Sequence, residues 1–398
     1  MKKRICMVVL NAVSSDPRVT KEAETLAPNY DVFVLGIKDS VALQDDEKIN
    51  GYRVCRVTNI KREIDSSKLN IMTLIKLSLN KILGLYKLAR LALRTKADIY
   101  HAHDLEMLPV AYIASKVNGG LFVYDSHELW VEQRADFPRL FKKNIKLLER
   151  FFIKRAKRVI TVNESIAQEL EKRYALSRKP IVVHNFTKSK ALINSSLSID
   201  SKTREKIIVL YHGGYLKDRG LEEVVKAVKY LSDNILIRFR GFGPLEEYLQ
   251  ELAKPYIEEG KIEFCPPVSM KELVQEASEC DIGIIPYKPT CLNNYYSLPN
   301  KLSEYMMAGL AVTASDVPEI RKLNEKVGFG TLFDPYDPKS IARAIISLTQ
   351  DQKALKERRA RAIEWAMTEG NWEKESVKIL QLYEDLLGEN NERESMDH

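Results

Sequence analysis

Two regimes of apolar spacing alternate along the chain. Short apolar runs of strand length are separated by longer segments in which apolar residues recur every three or four positions. Runs at 4–10, 31–37, 52–57, 97–101, 120–124, 158–162 and 180–184 read as strands. Helical spacing covers 17–27, 67–95, 108–117, 140–156 and 164–173. A second series follows, with strands at 206–212, 235–240, 261–264, 281–286, 310–314 and 327–333 and helices between them. The intervening TKSKALINSSLSIDSKTRE, 187–205, has no clear period and is rich in Ser and Lys, which reads as a linker. Strands alternating with helices predict parallel sheets covered on both faces, hence an α/β chain of two doubly wound units. In such sheets ligands bind beyond the carboxyl ends of the strands. The last segment, 371–387, is amphipathic.

A length of 398 residues fits two cores better than one. The five cysteines, at 6, 55, 265, 280 and 291, are scattered without a CxxC pair, which argues against a disulfide scaffold or zinc site and fits a reducing compartment. The opening MKKRICMVVLNAV is broken by Asn11 and leads into SSDPR without a small-residue cleavage site, so it reads as a buried strand. No run of about 18 apolar residues occurs, and no membrane span is expected. The expected location is therefore cytoplasmic. The net charge of +7 is unevenly placed. Lys68, Lys76, Lys81, Lys87, Arg90, Arg94 and Lys96 lie in an interval with no acidic residue, and a second basic run covers 139–158. No nucleic-acid motif accompanies them. An anionic membrane surface is the favoured partner, with an ordinary solvated face as the alternative.

Chemistry-bearing residues gather where strands end. LPNKLSEYMMAGLAV, 298–312, places Asn300 as an N-cap, with Leu302, Tyr305 and Met306 as a buried helical face. Lys301 and Glu304 sit three apart near the helix start, where a phosphate and a pair of sugar hydroxyls would suit them. YHGGYLKDRGLEE, 211–223, offers Gly213 and Gly214 for close backbone approach and Arg219 just before a helix. HAHD, 101–104, puts two histidines on one side of a strand end, followed by Asp104. YDSHELWVE, 124–132, brings Asp125, His127 and Glu128 beside it. A histidine between carboxylates has metal-site chemistry, yet no second histidine follows at i+4, and no metal is expected. In NAVSSDPRVTKEAETL, 11–26, Ser14, Ser15 and Arg18 are candidates for phosphate or acceptor contact. An ordinary N-cap at Ser15 or Asp16 explains the serines equally well.

These stretches, 298–312 above all, resemble the motifs of family 4 glycosyltransferases, retaining enzymes of the GT-B fold, and the resemblance spans nearly the whole chain. It implies two Rossmann-like domains facing a central cleft. The expected boundaries are an acceptor-side domain over 1–187, a linker over 188–205, a nucleotide-sugar domain over 206–370 and a final segment, 371–398, returning to the first domain. It implies transfer from a nucleotide-diphosphate-sugar, with retention, to a glycan or lipid-linked acceptor. The nucleotide-sugar is a substrate, and no cofactor is implied. His103, Arg219 and Lys301 would then be catalytic, and Glu304 would hold the donor ribose. Gly213, Gly214, Val268, Ser297 and Asn300 would complete the donor side. Ser14, Ser15, Arg18, Asp104, Asp125, His127 and Glu128 would lie toward the acceptor, with Asp104 orienting His103. The absence of any D-x-D fits a metal-independent donor site. The pattern is broken at Tyr296, where an earlier glutamate is usual, and at Gly214, where an arginine is usual; the first loop also lacks its glycines. A GT-B nucleotide-sugar epimerase and a non-catalytic partner subunit are the alternatives. An NAD oxidoreductase fits poorly, because no glycine follows the first strand and RGFGP, 240–244, is a lone GxG.

Overall fold

In the computed structural model, residues 2–14, 16–38, 40, 42–58, 71–133, 136–192 and 206–396 are described. Ser15, Lys68 and most of the expected linker (193–205) lie outside them. The chain divides into two units: 1–131 with 136–184 and 376–398, and 132–135 with 185–375. The second unit thus takes in Asn185 and Phe186, ahead of the expected linker.

The first unit opens with β1 (Arg4–Val8), α1 (Pro17–Leu26) and β2 (Asp31–Lys38). Asp16 caps α1 by accepting from the Arg18 and Val19 N–H groups, and Pro17 fills its first turn. Next come β3 (Asp46–Ile49), β4 (Tyr52–Thr58), α2 (Ile71–Thr95) and β5 (Ile99–His103). α3 (Leu108–Asn118), β6 (Leu121–Ser126), α4 (Arg139–Ile153), β7 (Arg158–Thr161), α5 (Glu164–Tyr174) and β8 (Ile181–Val182) complete the series. The sheet order is β3-β4-β2-β1-β5-β6-β7-β8, so the strand order reverses between β1 and β5. All pairs are parallel except β3 with β4. That hairpin turns on Asn50–Gly51, both at positive φ (45° and 93°), the dipeptide that best matches the twist of a two-residue hairpin. The apolar pattern misses β3 because DEKI is a half-exposed edge strand with a single apolar residue.

The second unit is built from β9 (Ile207–His212), α6 (Leu221–Ala227), β10 (Ile235–Arg240), α7 (Glu246–Glu258) and β11 (Ile262–Cys265). It continues through α8 (Leu273–Ala277), β12 (Ile282–Ile285), α9 (Leu292–Tyr295), α10 (Asn300–Met307) and β13 (Ala311–Ser315). α11 (Pro318–Val327), β14 (Gly330–Phe333), α12 (Pro338–Thr349) and α13 (Gln352–Thr368) follow, before α14 (Trp372–Met396). Its parallel sheet runs β11-β10-β9-β12-β13-β14 and reverses between β9 and β12. β12 and β13 are buried along their whole length, as strands covered on both faces must be. The expected apolar face of α10 is buried, with Leu302, Tyr305 and Met306 at most 1% exposed. Asn300, however, is not its N-cap. Pro299 holds that position with no side-chain cap, and Asn300 is the first helical residue.

The sheet holds α10 closely. A Cβ at Gly283 in β12 would stand 2.3 Å from the Tyr305 ring. Gly283→Ala must push α10 outward, and overpacking of this kind costs about 1–3 kcal/mol. A lowered urea midpoint is expected, and an unchanged midpoint would mean that the helix has room to give.

Candidate functional site

In the first unit the reversal of strand order lies between β1 and β5, and the residues at and beside it form a buried polar cluster. His103 ends β5 and pairs in register with Asp125 of β6. Asp125 accepts two hydrogen bonds from Arg18, from Nε at 2.7 Å and Nη2 at 2.9 Å. Arg18 Nη1 donates to the Val183 carbonyl at 2.7 Å, and Arg18 Nε lies 3.1 Å from Glu22 Oε1. Arg18 is 2% exposed and Asp125 is fully buried. The Arg18 guanidinium is thus taken up by the Asp125 carboxylate and the Val183 carbonyl, and Asp125, expected on the acceptor side, lies 3.5 Å from His103 Nδ1. Burial alone would raise Asp125, but Arg18 and His127 hold it well below the usual carboxylate range.

His127 lies just past β6. Its Nε2 stands 3.0 Å from His103 Nδ1 and 3.2 Å from Asp125 Oδ2, and its Nδ1 lies 3.4 Å from Asp104 Oδ2. Burial disfavours its cation, yet the Asp104 and Asp125 carboxylates push His127 up to about 10. It is an imidazolium at neutral pH. Burial lowers His103, so His103 is neutral. The His127 Nε2–H faces both His103 Nδ1 and Asp125 Oδ2, and where it donates to His103 the His103 proton is on Nε2. That atom is buried and has no hydrogen-bond partner among the described residues.

Asp104 orients His127 rather than His103, since Oδ1 also accepts from the His127 backbone N–H at 3.2 Å. Its backbone sits at φ 63°, ψ 169°, a region almost reserved for glycine. Val13 in the first loop is likewise at φ 69°, doing without the glycine usual there. Ser14 and Glu128 are exposed. Burial would raise Asp16, but it is lowered instead, first by the His127 charge, which brings the first loop into the same electrostatic cluster. Glu22, His101, His103 and Asp125 offer ligand atoms within 4.8 Å of one another. A metal does not fit there, because Arg18 already supplies the cation between the two carboxylates.

In the second unit, the site residues follow β9 and β12. Gly213 is at φ 120°, and a Cβ there would stand 2.7 Å from Lys301 Nζ. Lys301 donates to the Tyr287 hydroxyl at 2.7 Å, and the Arg219 guanidinium lies 4.0 Å from the same ring's centroid. Gly220 lets the Arg219 turn approach the end of β12, since a Cβ there would stand 2.0 Å from the Pro286 carbonyl oxygen. Gly214 faces only Leu216. Glu304 Oε2 accepts from His212 Nε2 at 2.7 Å, and its side chain is 20% exposed. The sequence reading missed His212 and Tyr287, although each stands at a strand end. Val268 is half-buried on the loop after β11. Ser297 spends its hydroxyl and its N–H on the Asn294 carbonyl, and Asn300 Oδ1 accepts from Asn185, so both are engaged within their own unit.

Residues 22–188 match the model described as Glycosyltransferase Family 4, and residues 197–366 match the one described as Glycosyl transferases group 1. Among solved structures, sucrose-phosphate synthase from Thermosynechococcus elongatus superimposes at a TM-score of 0.77, with 17% identity over 97% of this chain and 100% of that one. Anabaena HepE in complex with UDP-glucose gives 0.71 at 16% identity, covering 96% and 99%. A trehalose-6-phosphate structure from E. coli, bound with UDP-2-fluoro glucose, gives 0.69 at 12% identity, covering 96% and 99%. No curated protein matches the chain.

The cluster predicts an unusual titration. His127 should stay protonated through neutral pH and lose its proton only near about 10, while Asp104, raised to about 6 by burial, titrates beside it. A group raised in the folded state contributes stability that is full below its unfolded value near 6.5 and lost as pH rises through about 10. Asp104→Asn should bring His127 down by about one unit or more, and the wild-type stability advantage over that variant should vanish above that upper value. An ordinary imidazole titration near 6.5 in the wild type would contradict the arrangement.

Proposed function

Since the chain belongs to the family 4 glycosyltransferases of GT-B type, we propose that it moves a hexose from a UDP-sugar to an acceptor hydroxyl with retention of anomeric configuration. UDP is favoured because structural neighbours are complexes with UDP and UDP-glucose. The observation that carries the donor assignment is the convergence of Arg219 and Lys301 on Tyr287, beside the open backbone of Gly213. Departure of a diphosphate builds negative charge, and two preorganised cations stabilise that charge most where it is largest, in the transition state. They do so without a metal or a cofactor. Glu304, aligned by His212, accepts from the ribose hydroxyls.

In the transfer step the anomeric C–O bond to the diphosphate breaks. The acceptor oxygen bonds to the same face, and its proton passes to the departing phosphate oxygen. His103 would serve the reacting sugar or acceptor through Nε2–H, the nitrogen left unpartnered among the described residues, with its tautomer set by the His127 contact. In calorimetry, Glu304→Ala should weaken UDP binding by at least about tenfold, as two charge-assisted bonds are lost. His103→Ala should bind UDP normally and lose turnover of UDP-glucose. Wild-type UDP affinity in Glu304→Ala would overturn the ribose assignment, and interconversion of the sugar without UDP release would make the protein an epimerase.

A glycan or lipid-linked acceptor at an anionic membrane surface completes the reading. Among the described residues no helix is long and apolar enough to cross a membrane. α4 instead exposes Leu140, Phe141, Leu147, Leu148 and Phe151, while its one acid, Glu149, is buried between Tyr124 and Tyr174. The other charges of that helix are basic, a combination suited to the headgroup boundary. In α2, Ile82, Leu83 and Tyr86 are exposed as well. Sedimentation with anionic vesicles should be strong at low salt, absent with neutral vesicles, and lost in Lys143→Glu/Arg150→Glu. Salt-insensitive or lipid-indifferent sedimentation would remove the membrane from the account.

A further inference from the structure

The buried histidines of the first unit have a partner far along the chain. From α14, Tyr383 places Oη 2.6 Å from His101 Nδ1, and both side chains are fully buried. The His101 ring stacks on that of His103, with centroids 4.2 Å apart and planes at 21°. Among the described residues His101 Nε2 has no hydrogen-bond partner, and it stands 3.9 Å from Asp125 Oδ2.

Burial, reinforced by Glu22 and Asp125, keeps the Tyr383 phenol protonated by raising it well above its ordinary range. Burial also holds His101 well below its ordinary value, and the imidazole is neutral. A neutral ring carries one proton. If Tyr383 donates to Nδ1, that proton is on Nε2, facing the Asp125 carboxylate. The other tautomer would turn a lone pair toward that ionised carboxylate, whereas on the Nδ1 side Glu22, 4.0 Å away, is raised to about 8 by burial and offers no comparable negative charge.

Packing does not require the hydroxyl. Ile379, Leu382 and Leu386 dock the same helix, each at most 2% exposed. A phenylalanine at 383 would fill the same space without a polar atom to satisfy.

We propose that Tyr383 is a positioning residue for glycosyl transfer: its hydroxyl locks His101 as the Nε2–H tautomer and so fixes the ring on which His103 is stacked. On this account α14 supplies part of the site's preorganisation. The inference rests on His103 serving the reaction as described above, and the test separates the two.

Tyr383→Phe in the full-length chain is the informative variant. Long-range proton–nitrogen correlation spectra should show His101 with its proton on Nε2 in the wild type and a mixed or Nδ1-protonated ring in the variant. With UDP-glucose as the donor probe, kcat should fall about tenfold, well short of the loss when a catalytic base's own tautomer partner is removed. The KM for UDP-glucose and the affinity for UDP should be unchanged, which marks a transition-state effect. Ile379→Ala should lower Tm while leaving the His101 tautomer and kcat intact, so a merely structural role of the helix gives a different pattern. An unchanged His101 tautomer in Tyr383→Phe, or a changed one with kcat intact, overturns the proposal. If the wild type does not turn over UDP-glucose, the reaction assignment fails, and the tautomer spectra alone decide whether the lock exists.

Discussion

The doubly hydrogen-bonded pair between Arg18 and Asp125 is the constraint on which the first unit's site depends. It ties α1 to the end of β6, and through Nη1 it ties both to the Val183 carbonyl beyond β8. Such a pair is a poor source of stability, since desolvating two ions costs about as much as their attraction returns. Removing one partner is another matter, at about 3–5 kcal/mol, because it strands a buried charge. What the pair supplies is a fixed anion in the interior. Around it His127 is held as a cation, and the neutral His103 and His101 take defined orientations. Strain follows the same logic: Asp104 occupies a backbone region that only the surrounding contacts can enforce.

The second unit solves a different problem with the same topology. Its strand order also reverses beside the strand ends that carry the chemistry, but here the cations are near the surface and rest on aromatic rings. Among the described residues, Arg219 and Lys301 meet at the Tyr287 ring rather than at a carboxylate. Tyr287 gathers both without neutralising either, as the proposed capture of a diphosphate would require. With glycine at 214, Arg219 and Lys301 still bring two cations to Tyr287.

Strand and helix positions were legible in the sequence because they are written locally, in periods of two and of three to four residues. The strand-end motifs were legible for the same reason, and their family resemblance supplied the fold. Partnerships were not. Arg18 follows a strand end and reads as an anion binder; its carboxylate partner lies 107 residues away. Tyr383 is 282 residues from His101, and His212 is 92 from Glu304. No periodicity reports such pairs. The β3–β4 hairpin was a local miss, as was the N-cap placed on Asn300, and the hairpin's Asn50–Gly51 turn was a usable signal.

The proposed chemistry is front-face transfer from a UDP-sugar through a charge-stabilised diphosphate. Slow transfer to water tests it without knowledge of the acceptor. Proton spectra of a UDP-α-glucose incubation, taken before the free sugar equilibrates its anomers, should show α-glucose as the first product, together with UDP. First-formed β-glucose, or glucose released without UDP, would contradict the account.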